Sequence, residues 1–154
     1  MEKSSSIYSY TLTDRQIETI WTYLGGSIWE ISFLLNELIP YANNTKINDT
    51  DLMEIIQRLI SINQGKYNHY AKINKHKRAL LKQILSIQDK YSDFDETNLE
   101  SLVNNNQFEE NVLTDELTNL VKLNILAFNP TTSLYTIQGN TMLYGLKAYI
   151  KHIS

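Results

Sequence analysis

The chain has 154 residues, 42% of them hydrophobic, which suits one compact domain or two small ones. It contains no cysteine, which excludes disulfides, thiolate catalysis and zinc sites built on sulfur. Its 14 Lys and Arg against 17 Asp and Glu give a formal net charge of −3, and no apolar run approaches the roughly 20 residues of a membrane span. Because residues 1–10 also lack the apolar segment of a signal peptide, we expect a cytoplasmic protein without a membrane partner.

Two capping boxes on either side of a glycine pair predict a helix–turn–helix unit. Each box has Ser or Thr at the cap and Gln or Glu three residues later: Thr13 with Gln16, and Ser27 with Glu30. Between them, Gly25 and Gly26 suit the left-handed turn that ends a helix. We expect residues 1–12 to form a flexible leader and residues 13–74 a helical subdomain.

Hydrophobic spacing predicts which side chains of this unit face its core. In the first helix the predicted buried stripe is Ile17, Ile20, Trp21 and Leu24. In the second helix Trp29 lies about half a turn away from the apolar stripe. An exposed tryptophan is typical of an interface, so Trp29 is a candidate interface residue. A third helix is predicted from about residue 49 towards residue 73.

The C-terminal half has the element order of a winged helix. Three helices are predicted in this half: one over about 75–89, a short one after the Asp95 cap, and one over about 110–123. Strands at 125–128 and 134–137 flank a turn containing Pro130 and form a hairpin, and a last helix follows. The predicted fold is therefore mainly α: an N-terminal helical bundle, then a winged helix-turn-helix domain over residues 75–154 with a small β-hairpin wing.

Charge is unevenly distributed along the chain. Five basic residues form a candidate face for nucleic acid or a partner: Lys72, Lys75, Lys77, Arg78 and Lys82. The predicted helix over 110–123 has the position of the recognition helix in a winged helix. Four acids near its start form a candidate partner-binding surface: Glu109, Glu110, Asp115 and Glu116. The alternative in both cases is a solvated helix face that binds nothing.

The segment from Thr13 to Ile73, with Leu24-Gly25-Gly26-Ser27 between two helices, resembles the helical lid of archaeal-type ATPases of the STAND/AAA+ class. In that family a winged helix follows the lid, and a helix running directly into the first wing strand is similar to residues 115–126. The resemblance implies a partner protein, or the chain's own ATPase core. Two departures stand out: Ile28 replaces a frequent proline, and the P-loop pattern is absent, since the only Gly-Lys pair, Gly65-Lys66, is followed by Tyr67.

No residue pattern indicates catalysis, a metal or a cofactor. The three histidines, His69, His76 and His152, lack the converging acids that a metal site needs. We therefore expect a non-catalytic interaction module that binds a partner protein or transmits nucleotide state. The alternative is a DNA-binding winged-helix regulator that uses the basic face around Lys72–Lys82, because the recognition helix begins with acids and the wing turn has no basic residue.

Overall fold

The computed structural model describes residues 10–25 and 27–154, and this part of the chain is mainly helical with a small antiparallel hairpin near the C-terminus. The α-helices are α1 Asp14–Leu24, α2 Ile28–Glu37, α3 Asp49–Ala71, α4 Lys75–Gln88, α5 Glu100–Asn104, α6 Glu110–Lys122 and α7 Gly139–Ile153. Short 3-10 helices cover Ile39–Tyr41 and Glu96–Leu99, and the strands are β1 Leu126–Asn129 and β2 Leu134–Ile137. The predicted mainly α class with a hairpin is confirmed.

The chain forms two compact units. Unit 1 holds the described residues up to Ile62 together with Gly139–Thr141, and unit 2 holds Asn63–Gln138 and Met142–Ser154. The sequence prediction placed the division between residues 74 and 75, whereas it falls inside α3. The reason is that α3 serves two cores in succession: its residues up to Ile60 pack in one apolar cluster, and those from Tyr67 onward pack in the other.

The predicted caps set the start of both helices in unit 1. The Thr13 hydroxyl accepts from the Gln16 backbone N–H at 3.1 Å, and the Gln16 side chain accepts from the Thr13 N–H at 3.0 Å, so the first predicted capping box is complete. The second is only half formed: Ser27 caps α2 by accepting from the Glu30 N–H, but the Ser27 N–H donates to the Leu24 carbonyl, and the Glu30 carboxyl group accepts from Thr141. Gly25 ends α1 in the left-handed conformation, with φ of 59°. The other half of the predicted turn, Gly26, lies outside the described residues.

The buried face of α1 differs from the predicted stripe. Ile20 and Leu24 are buried, but Ile17 and Trp21 are exposed, so this part of the prediction was wrong. The physical reason is Gln16, which is buried because its amide donates to the Ile47 carbonyl at 2.8 Å and to the Asp49 carboxylate at 2.9 Å. A polar residue thus takes the place in the core that hydrophobic periodicity assigned to Ile17 and Trp21.

Tyr10 belongs to the core of unit 1, although the sequence prediction placed it in a flexible leader of residues 1–12. Its ring is buried, and its hydroxyl donates to the Leu35 carbonyl at 2.5 Å. Residues 1–9 of the predicted leader lie outside the described residues. Tyr10 is therefore better assigned to the packed structure than to a leader.

The first turn of α7 completes unit 1. Thr141 is buried and its hydroxyl donates to the Glu30 carboxyl group at 2.7 Å, while the Asn140 amide donates to the Thr22 carbonyl at 2.6 Å. Gly139 lies so close to the turn that a Cβ added to Gly25 would be 2.8 Å from the Gly139 Cα. Residues far apart in sequence therefore hold the Gly25 turn in place.

Thr141→Val is expected to lower the free energy of unfolding by about 1–3 kcal/mol, because it removes a donor from a buried carboxyl group without changing the side-chain volume much. Urea denaturation followed by tryptophan fluorescence measures this loss, since both tryptophans, Trp21 and Trp29, lie in unit 1. Thr19→Val is the matched control within unit 1: its hydroxyl donates to the Arg15 carbonyl of the same helix at 2.9 Å in an exposed contact, and we expect a loss below about 1 kcal/mol. Equal losses in both variants would contradict the structural role of the Thr141 contact.

In unit 2 a single residue extends the hairpin. The β1–β2 register pairs Leu126 with Ile137 and Phe128 with Tyr135. On the other edge of β2, the Phe94 N–H donates to the Tyr135 carbonyl at 2.9 Å, and the Tyr135 N–H donates to the Phe94 carbonyl at 2.7 Å. Phe94 is buried and its ring stacks on Tyr135, with ring centroids 5.8 Å apart. No strand pattern in the sequence around Phe94 predicts this third position in the sheet.

Candidate functional site

The helices on either side of the Gly25 turn present large apolar side chains to solvent. Ile28 is 82% exposed, Trp21 59% and Trp29 56%, and Ile17 is exposed as well. We call these four residues the α1–α2 apolar surface. Single exposed hydrophobic residues are ordinary, but two tryptophans and two isoleucines on one helix pair are not.

Local geometry places three of these side chains on defined faces of their helices. Ile17 and Trp21 are four residues apart on α1 and so lie on the same face. On α2, Trp29 stacks on Phe33 with ring centroids 5.7 Å apart, which fixes the orientation of the indole. Trp29 is exposed, as its position off the apolar stripe indicates. Hydrophobic periodicity did not predict the exposure of Ile17, Trp21 and Ile28. The sequence signal that pointed to it in α1 was the polar Gln16 among the apolar residues of that helix.

The predicted basic face is divided in the structure. Lys72, Lys75 and Lys82 are exposed, whereas the other two cations contact their own unit. The Arg78 guanidinium donates to the Lys72 carbonyl at 3.1 Å, and the Lys77 ammonium lies 4.9 Å from the centroid of the Tyr70 ring. Within the described part of the chain, no carboxylate forms an ion pair with any of these five residues.

Part of this basic face borders a cleft in unit 2. The cleft has a volume of about 540 Å³ and lies where the α3–α4 turn meets the C-terminal end of α6. Its lining includes His69, Lys72, Ile73, Lys77, Asn119 and Leu123. We call it the Ile73 cleft. It brings together two of the predicted basic residues with apolar side chains that the sequence analysis did not connect to them.

One of the four residues in the predicted acidic surface, Glu116, differs from the others in exposure and contacts. Glu109, Glu110 and Asp115 are exposed, but the half-buried Glu116 accepts a hydrogen bond from the Tyr70 hydroxyl at 2.5 Å. Burial, the hydrogen bond to Glu116 and the charge of Glu116 together raise the pKa of Tyr70 well above its ordinary value. Glu116 therefore makes a contact within unit 2 that the other three acids do not make, and only part of its side chain is exposed.

The same unit carries an acidic groove of about 320 Å³ whose carboxylates come from Glu96, Glu100 and Glu110. Within residues 10–25 and 27–154, no group of three or more His, Asp or Glu side chains is arranged to hold a metal ion. The three histidines do not meet, and the ring of His76 packs edge-on against Phe108. Among the described helices, none combines the length and the apolar character needed to cross a membrane.

Comparison of the chain with protein-family models, with curated proteins and with solved structures finds no significant match. The resemblance to archaeal-type ATPases therefore stays a prediction from the sequence, and the functional argument depends on the surfaces described above.

Proposed function

We propose that this chain is a non-catalytic interaction module that docks onto a partner protein through the α1–α2 apolar surface. The observation that carries the proposal is the exposure of Trp21, Ile28 and Trp29 around the Gly25 turn. The partner that fits best is the nucleotide-binding core of an archaeal-type ATPase, because the lid that these helices resemble lies against such a core in that family.

The composition of the surface supports a protein partner. Tryptophan is enriched among the few interface residues that dominate binding, and each such residue contributes about 2 kcal/mol or more, or roughly 30-fold in affinity. Covering the two indoles and Ile28 also removes a large apolar area from water, at about 25 cal/mol per Å². The isolated chain gains no stability from this exposed area, whereas docking onto a partner would bury it and so favour binding.

We further propose that unit 2 is a winged helix. The Phe94 bridge supports this, since it gives the order helix α4, strand position Phe94, helices α5 and α6, then the hairpin. In that fold α6 is the recognition helix. Its exposed Glu109, Glu110 and Asp115 would repel a phosphate backbone, so the winged helix supports contact with protein better than the usual contact with DNA.

A role in transmitting nucleotide state fits the contacts of unit 1. The Gly25 turn, which lies near the nucleotide in the lids that this segment resembles, is held against the first turn of α7 through Asn140 and Thr141. A displacement of the turn would therefore strain these contacts, and through them the start of α7.

Trp21→Ser is expected to reduce capture of the partner at least about tenfold. The experiment is affinity purification of the tagged full chain from cells that express its natural partners, with P-loop ATPases quantified by mass spectrometry. Tyr91→Ser is the matched control, since Tyr91 is also 59% exposed but lies in unit 2. Absence of any P-loop ATPase from the wild-type capture would overturn the proposed partner, and equal capture by the wild type and Trp21→Ser would overturn the proposed surface.

A further inference from the structure

We infer that the Ile73 cleft of unit 2 is a docking site for an acidic peptide segment that carries a large apolar side chain. This inference concerns a different surface from the α1–α2 apolar surface and a second partner contact. It depends on the charge and the apolar content of the cleft, and not on the proposed ATPase partner.

The charge of the cleft favours an anionic ligand. Lys72 and Lys77 line it, Lys75 is exposed in the next turn of chain, and none of the lining residues is an acid. Lys72 adopts a left-handed backbone conformation, with φ of 47°, so the chain turns sharply there from α3 into α4. The turn holds these cations near one another in the chain, and no described carboxylate forms an ion pair with them, although Glu116 lies behind Tyr70, on its hydroxyl.

The apolar content of the cleft favours a peptide. Ile73 is 90% exposed in the middle of this basic turn, and Leu123 from the end of α6 lines the same cleft and is exposed too. A β-branched apolar side chain in a tight turn between Lys72 and Asn74 stabilises nothing inside unit 2. It can, however, contact a Leu, Ile or Phe side chain whose flanking carboxylates meet the lysines.

A nucleic acid fits the same surface less well. Of the two rings that line the cleft, Tyr70 is buried and lies beneath the Lys77 ammonium, so it cannot stack on a base, and the exposed His69 offers only a single imidazole face. A duplex is also long enough to approach Glu109, Glu110 and Asp115 on the exposed face of α6, which would repel its phosphates. The carboxylates of a short acidic peptide can pair with the lysine ammonium groups, and the peptide is too short to extend over these acids.

The test is fluorescence anisotropy of the full chain with a short fluorescein-labelled peptide of Glu and Asp around a central Leu. A second peptide has Ser in place of the Leu, and a third probe is random-sequence duplex DNA. We expect the Leu peptide to bind more tightly than both other probes and its affinity to fall as salt rises. No saturable binding of the Leu peptide at low salt would overturn the inference, and so would tighter binding of the DNA.

Two variants separate the apolar and the charged parts of the site. Ile73→Ser is expected to weaken binding of the Leu peptide about tenfold and to leave binding of the Ser peptide unchanged. The double change Lys72→Gln and Lys77→Gln is expected to weaken both peptides and to flatten the salt dependence. If the Ile73→Ser variant bound the Leu peptide as tightly as the wild type, the cleft would not be the docking site.

Ile28→Ser is the matched control, because Ile28 is also an isoleucine with a highly exposed side chain but lies in unit 1. We expect it to leave peptide binding unchanged while weakening capture of the ATPase partner. The two proposals can therefore fail separately: loss of peptide binding in Ile28→Ser would count against the cleft, and unchanged ATPase capture in that variant would count against the α1–α2 apolar surface.

Discussion

Phe94→Ala is expected to lower the free energy of unfolding of unit 2 by about 3–5 kcal/mol. Phe94 is fully enclosed, stacks on Tyr135, and holds the edge of β2 through two backbone hydrogen bonds. Truncation removes the buried ring and leaves a cavity where the chain before the 3-10 helix Glu96–Leu99 meets the hairpin. Hydrogen exchange of the α6 and β2 amides, measured at increasing urea concentrations, gives the loss of unfolding free energy in unit 2.

Phe128→Ala provides the control within the same hairpin. Phe128 also packs on Tyr135, with ring centroids 4.8 Å apart, but its side chain is exposed. Because less apolar area is lost from the interior, we expect a cost below about 1.5 kcal/mol. Similar losses for Phe94→Ala and Phe128→Ala would mean that the buried Phe94 ring does not anchor the hairpin.

Gly145→Ala is expected to lower the free energy of unfolding by about 1–3 kcal/mol, although alanine is the better helix former. A Cβ on Gly145 would lie 2.9 Å from the Cβ of Asn63 and 3.0 Å from the backbone nitrogen of Gln64. The backbone of α3 cannot yield as a flexible side chain can, so α3 and α7 would have to move apart. This cost exceeds the gain of about 1 kcal/mol in helix propensity.

Gly65→Ala tests the effect of helix propensity on stability without a steric clash. Gly65 lies inside α3, and a Cβ there would meet nothing within 4 Å, so we expect this change to raise the free energy of unfolding by about 0.5–1 kcal/mol. Thermal unfolding by circular dichroism compares the two variants directly. Stabilisation by both changes would show that α3 and α7 do not pack as closely as the structure has them.

The local features of the fold could be predicted from the sequence because they depend on neighbouring residues. The Thr13 and Ser27 caps, the left-handed Gly25 and the hairpin around Pro130 all follow from short-range chemistry, and the structure confirms each. Periodicity failed for Ile17 and Trp21 because it counts apolar residues and cannot foresee the two hydrogen bonds that bury Gln16.

The candidate sites were harder to predict because tertiary packing creates them. The Phe94 bridge involves one residue with no strand pattern around it, and the Ile73 cleft joins the α3–α4 turn to the end of α6. The basic and acidic segments were visible in the sequence. Which of their members contact their own unit was not, as the hydrogen bond between Tyr70 and Glu116 and the position of Lys77 over Tyr70 show.

The most direct test of the account is photo-crosslinking in the natural host, with a benzophenone amino acid placed at position 21 or 28 and, as the control, at position 91. We predict that positions 21 and 28 crosslink to a P-loop ATPase core and that position 91 does not, because only the first two lie on the α1–α2 apolar surface. Crosslinks from positions 21 and 28 to nucleic acid, or protein crosslinks no stronger than those from position 91, would contradict the account.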